Sequence, residues 1–157
     1  MQFEHKALIA HTKTALERAF DFDTVRTDTQ MREQKDELSQ HMSDVFDFYG
    51  QKKPLAFAVE CSRSKPVEIS KKCQKWEALC KRFLDYYSDI TDYRYLWVVE
   101  TEEKAWNVQK RWREDELTSG QTLVTWADAF SPYSPSTILG DIWLWPKDDT
   151  KQSLRRE

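Results

Sequence analysis

The sequence predicts an α/β domain in which one mixed central sheet is flanked by helices. Two continuous apolar runs, Leu55 to Val59 and Tyr93 to Val99, have the length of strands and the composition of strands buried on both faces. Each run is followed by a segment with helical periodicity, and a third strand candidate, Gln121 to Trp126, closes the series. The order strand, helix, strand, helix, strand is that of parallel crossovers. The 157 residues hold only 3 Gly and 5 Pro, with 39% hydrophobic and 32% charged side chains. That balance excludes collagen-like, low-complexity and globally disordered chains and suits one domain with a substantial core.

In chain order, residues 3–20 read as an amphipathic helix with Phe3, Ala7, Leu8, Ala15, Leu16 and Ala19 on one side. Asp21 to Thr27 alternates like a half-buried edge strand, and residues 28–41 are a loop or a short exposed helix. Val45, Phe46 and Phe48 mark a short strand. Gly50-Gln51-Lys52-Lys53-Pro54 supplies turn chemistry, so this strand and Leu55 to Val59 form a hairpin. Pro66 stands where a helix tolerates proline, at its first turn, and residues 67–88 carry the stripe Ile69, Cys73, Trp76, Leu79, Cys80, Phe83 and Tyr87. Thr101-Glu102-Glu103 caps a further helix running to about Leu117, and Gly120 breaks the chain before the third strand. The Ser- and Pro-rich residues 131–140 read as a loop, Ile142 to Trp145 as a short last strand, and residues 147–157 as a frayed tail. Trp143 and Trp145 share a face of that strand, as a core lid or a partner surface, with the lid favoured. No internal repeat or linker divides the chain, so residues 1–157 read as a single domain.

The apolar runs are too short to span a bilayer, and the start Met1-Gln2-Phe3-Glu4-His5 lacks the pattern of an export signal, so a cytoplasmic protein with no membrane partner is expected. Cys61, Cys73 and Cys80 show no CxxC spacing, and His5, His11 and His41 complete no zinc cluster. Buried free thiols are expected. The net charge of −3 is sorted along the chain: −4 over residues 1–51, +6 over 52–82 and −5 over 83–157. The basic middle segment fits either a phosphate-attracting patch or a solvated helix face.

The chemistry-bearing constellation lies around that segment. Asp44 opens the first hairpin strand and Glu60 ends the second, which brings two carboxylates to one end of the sheet. Bare neighbouring carboxylates repel and raise each other's pKa. A divalent cation removes that cost, and Mg²⁺ asks for only one or two carboxylates beside water and phosphate. Lys71, Lys72 and Lys75 are spaced to share one side of the following helix, as a phosphate-contacting face would.

This layout resembles the PD-(D/E)XK nuclease superfamily, in which an acid begins one strand and acid-x-Lys ends the next. More narrowly it is similar to the replication-relaxation proteins of plasmids and mobile elements. The matching pieces are Glu4-His5 on the first helix, Ser43-Asp44-Val45-Phe46, Phe57-Ala58-Val59-Glu60, and Lys72-Cys73-Gln74-Lys75-Trp76, all within residues 3–100. The resemblance implies a restriction-endonuclease-like core and a Mg²⁺- or Mn²⁺-dependent DNA nuclease or nickase of a mobile element or virus. Asp44 and Glu60 would hold the metal, Lys72 would be the catalytic lysine, and Lys65, Lys71, Lys72 and Lys75 would bind DNA. The implied partners are DNA and either a second copy of the chain or a relaxosome-type protein. Two departures stand out: Ser43 replaces Pro, and Ser62 stands where the motif has Lys. In some relatives that lysine moves to the following helix, where Lys72 fits best, with Lys71 and Lys65 as substitutes. Glu17 offers a further acid. Because of Ser62, a non-catalytic DNA-binding accessory protein stays open beside the nuclease, as does a protein–protein adaptor using the acidic flanks and the Trp-rich end.

Overall fold

The computed structural model of the chain describes residues 4–33, 47–75, 89–117 and 121–154. Its elements are α1 (His5–Ala19), β1 (Thr24–Thr27), α2 (Asp28–Glu33), β2 (Phe48–Lys52), β3 (Leu55–Cys61), α3 (residues 66–75 as described), β4 (Asp92–Val99), α4 (Glu102–Glu114), β5 (Thr122–Trp126), β6 (Trp143–Leu144) and β7 (Lys151–Gln152). The fold is α/β, as the sequence predicts. Among the described residues, seven strands form one mixed sheet in sequence order, parallel from β3 through β5 and antiparallel on either side.

Each apolar run became a central strand because both of its faces find a cover. Ala56 and Ala58 of β3, with Tyr93, Tyr95, Trp97 and Val99 of β4, pack beneath Ile69 and Cys73 of α3 and Ala105, Val108 and Trp112 of α4. Phe57, Val59 and Cys61 point the other way, with Leu96 and Val98, into a core shared with Leu8, Ala15 and Leu16 of α1. Two successive crossovers advancing in one direction with one handedness leave both their helices on one face. The other face is therefore free for α1. Small Ala56 and Ala58 let α3 lie close to the sheet. Phe57, fully buried among Phe20 and Phe22 at centroid distances of 4.9 and 5.9 Å, contributes about 2–3 kcal/mol by leaving water.

Several boundaries differ from the sequence reading. The hairpin turn is Lys53-Pro54 alone, with a cis peptide, and Gly50, Gln51 and Lys52 belong to β2. Gly50 serves there as a bare patch of backbone: an added Cβ would meet the Phe22 ring at 3.1 Å. β2 starts at Phe48, and the expected strand residues Val45 and Phe46 lie outside the described residues, as do Trp76, Leu79, Cys80, Phe83 and Tyr87. α4 stops at Glu114 rather than near Leu117, and Glu116 takes a positive φ of 59° to turn the chain. Residues 131–140 are not a plain loop, since Pro135–Leu139 forms a 3₁₀ helix that buries Ile138. The tail expected to fray is tied down as far as residue 154: β7 pairs with β6, and Leu154 is buried. Trp143 lies in the α1-side core and Trp145 packs on its border, which agrees with the lid reading. Among the described residues, no helix is long and apolar enough to cross a membrane.

Candidate functional site

In parallel sheets, ligands bind beyond the carboxyl ends of the strands. That end of β3 carries Glu60. Strand alternation sends Glu60 to the same face as Ala56 and Ala58, toward α3, and its side chain is only 8% exposed. Lys72, on the second turn of α3, reaches back so that its Nζ lies 2.9 Å from Glu60 Oε1. The residue before β2 is Asp47. Phe48 pairs with Val59, so the antiparallel register brings Asp47 opposite Glu60. Backbone hydrogen bonds hold it there: Asp47 N–H donates to Val59 O at 2.9 Å, and Cys61 N–H donates to Asp47 Oδ2 at 2.8 Å.

From the opposite layer, His5 at the start of α1 donates from Nε2 to the Cys61 carbonyl at 2.8 Å, which requires that nitrogen to carry a proton. The same nitrogen lies 3.7 Å from Asp47 Oδ2. His5, Glu60, Cys61, Ser62, Arg63, Ser64 and Lys72 line an open cleft of about 350 Å³. It is a small ligand site by volume.

The electrostatics of the cleft are dominated by crowded acids. Burial pushes Glu60 up to about 8, the neighbouring Asp47 pushes in the same direction, and Lys72 only partly offsets them. Asp47 is also raised, first by burial, against the hydrogen bond from Cys61 and the charges of His5 and Lys72. The Cys61 thiol is buried and held well above its ordinary value, so it is not a thiolate nucleophile. It sits under α1, with its sulfur 3.8 Å from Leu8 O and 3.6 Å from Thr12 Oγ1.

Glu60 and Lys72 therefore meet, as the sequence reading expected. Asp44 lies outside the described residues; among the described residues, Asp47, three positions later, stands opposite Glu60. Ser62, in the place of the motif lysine, is buried, and its Oγ accepts from the Ser64 N–H at 3.0 Å. It holds the bend into α3 and offers no charge. Lys65, Lys71 and Lys75 are exposed around α3 and do not line the cleft. Glu17 pairs with Lys13 on the outer side of α1. Cys73 is buried in the core as a free thiol, and Cys80 lies outside the described residues. The residues that sequence reasoning missed are His5 as a cleft residue, Asp47, and Arg63, which pairs with Glu100 just after β4. Only Asp47 left a usable signal: it is the acid directly before Phe48, the first residue of the strand.

Among the described residues, no three His, Cys, Asp or Glu side chains come together to hold an ion. Glu60 lines the cleft and Asp47 lies opposite it on β2's side, outside the lining, so the oxygen donors here are these two carboxylates. That set fits Mg²⁺ or Mn²⁺, which keep several waters and need few protein ligands. Comparisons with protein-family models, curated proteins and solved structures found no match to this chain. The site is therefore read from its own residues.

Proposed function

We propose that this chain is a divalent-cation-dependent nuclease acting on DNA, with Glu60, Asp47 and Lys72 as its working groups. The observation that carries the reading is the buried Glu60 carboxyl, pushed to about 8 beside a second acid and held by one lysine at the mouth of an open cleft. A purely structural ion pair has no need of a second carboxylate that raises the first. Perturbed acids in a cleft are a functional signature.

In this reading Glu60 and Asp47 hold Mg²⁺ or Mn²⁺. The cation, when bound, polarises a phosphodiester and lowers the pKa of the attacking water. The chain's own residues supply the rest. The β2–β3 register sets Asp47 opposite Glu60. Lys72 has its ammonium at the cleft on a helix packed against the sheet, where it stabilises charge that develops on the phosphate oxygens. Lys65, Lys71 and Lys75 extend positive charge outward along α3 and draw in the DNA backbone.

The alternative is a DNA-binding accessory protein without catalysis, and Ser62 in the motif's lysine position favours it. One experiment separates them. Purified protein should cut or nick plasmid DNA in Mg²⁺ or Mn²⁺, and EDTA should stop it. Glu60→Gln and Asp47→Asn should each reduce cutting by roughly 10²–10³-fold, the scale on which charge-stabilising groups act. Lys72→Ala should do nearly as much while changing binding only slightly. Asp44→Asn, made in parallel, tests the acid that the sequence resemblance indicates. DNA binding without cutting by the wild type would leave the accessory reading; neither binding nor cutting would favour a protein–protein adaptor.

A further inference from the structure

The lining of the cleft contains a grip that the carboxylates and Lys72 do not account for. Arg63 follows β3 by two residues, and its Nε lies 3.4 Å from Glu100 Oε1. Glu100 directly follows β4, is 17% exposed, and has Lys104 Nζ at 3.6 Å. The two parallel strand ends thus form a clamp that holds the guanidinium by its inner edge. Among the described residues, the Nη1 and Nη2 groups of Arg63 have no protein partner. The side chain is 47% exposed and borders the cleft. This is a fork with its orienting bond made and its two outer nitrogens available, the geometry that suits a phosphate.

The rest of the lining decides what else is recognised. Ser62, Ser64 and Lys72 add donors, and the described lining has no Phe, Tyr or Trp on which a base could stack. Among the described residues, the aromatic side chains of Tyr49, Phe57, Tyr95, Trp97, Trp112 and Trp143 are fully buried.

We infer that Arg63, oriented by Glu100, grips a backbone phosphate of the nucleic acid, and that the cleft reads the sugar–phosphate chain and not the bases. This rests on the nucleic-acid reading above and adds a substrate class to it: any sequence, recognised by its phosphates. Phosphate contacts position a chain without carrying sequence information. Arg63 is the binding residue here, and Glu100 is the positioning residue that acts through it.

The test measures binding in EDTA, where nothing is cut. Two probes are used: a short mixed-sequence single-stranded DNA, and an oligomer with the same number of phosphates in which every nucleoside is replaced by an abasic tetrahydrofuran unit. The two should bind within about three-fold of each other. Arg63→Ala should weaken both by about ten-fold and lower the salt slope by about one contact. Arg63→Lys should restore the slope, since the charge returns, with only part of the affinity, since the fork does not. Glu100→Gln should keep the slope and lose affinity to a lesser degree. A merely structural arginine would not produce this split between slope and affinity.

The inference is overturned if the abasic probe binds more than about 30-fold weaker than DNA, if Arg63→Ala binds like wild type, or if wild type binds neither probe. Cutting is assayed separately. A protein that never cuts but shows base-independent, Arg63-dependent binding overturns the nuclease reading and leaves the grip standing. A protein that cuts, with Arg63→Ala binding unchanged, does the reverse.

Discussion

The two ends of the parallel core carry the same chemistry with opposite results. At the amino end, Lys53 of the hairpin turn pairs with Asp89, just before β4, at 2.6 Å, and both side chains are about half exposed. At the carboxyl end, Lys72 pairs with Glu60 at 2.9 Å. Asp89 is lowered from its ordinary value, chiefly by the hydrogen bond from Lys53. Glu60 is raised to about 8 despite its lysine. Separation does not explain this, since the two distances differ by only a few tenths of an ångström. Solvent explains most of it: water supports the ionised form of Asp89, whereas Glu60 is desolvated and faces Asp47 as well. The comparison shows that an ion pair's geometry does not state its balance. The exposed pair is satisfied, whereas Lys72 only partly offsets the burial of Glu60 and the charge of Asp47.

The largest expected effect follows from that imbalance and concerns stability against pH. Glu60's folded pKa is raised above its ordinary 4.5, so the fold binds its proton more tightly than the unfolded chain does. Its contribution is therefore fully present below about 4.5 and is lost as pH rises through about 8. A displacement of that size is worth at most on the order of 5 kcal/mol, and raised Asp47 acts in the same sense. Denaturant melts across this window should show wild type losing stability, with Glu60→Gln losing much less because its amide has no proton to release. A wild-type profile that rises between these pH values would break the comparison, since it would mean that Lys72 satisfies Glu60 as fully as Lys53 satisfies Asp89.

The next effect is smaller and sharpens the chemical identity of what is missing. If a divalent cation meets the deficit, Mn²⁺ or Mg²⁺ at roughly 100 times its Kd should add about 2–3 kcal/mol to the folded state. For a chain of this size that is about 5–10 °C in Tm. The shift should vanish in Glu60→Gln and Asp47→Asn. Equal shifts in wild type and both variants would assign the cation to some other part of the molecule.

How much of this was legible beforehand depended on whether burial had a local signature. β3 and β4 were legible because a strand covered on both faces must be apolar throughout, and no helix of that length would be. Glu60 stood out because it breaks the run Leu55 to Val59 at its carboxyl end, and Lys72 because it lies on the helix that the run feeds. Asp47 was missed because Val45 and Phe46 draw the strand start toward Asp44. The ladder actually begins at Phe48, whose partner Val59 is fixed by a two-residue turn that Gly50-Gln51-Lys52 disguised. The strand Lys151–Gln152 had no apolar signal at all: its backbone pairs with Trp143–Leu144 while its side chains stay largely in water, and only pairing geometry defines it. Arg63 and Glu100 are 37 residues apart, and nothing short of the parallel register between β3 and β4 brings them together.

The smallest expected effect is at the amino end, and it guards the argument against a trivial explanation. If every acid near a lysine mattered to this protein, the carboxyl-end effects would carry no information about a site. Asp89→Asn removes the exposed pair with almost no change in shape. Two half-exposed chains held in water gain little from pairing, because the attraction is screened and side-chain freedom is lost in making it. Tm should therefore stay within the error of the melt, and cutting of DNA and affinity for it should match wild type. The one visible change should appear in acid titrations, where Lys53 no longer holds a neighbouring carboxylate below its ordinary range. Loss of activity in Asp89→Asn, with the fold intact by circular dichroism, would mean that the working surface extends to the hairpin end. The contrast between the two ends would then have to be given up.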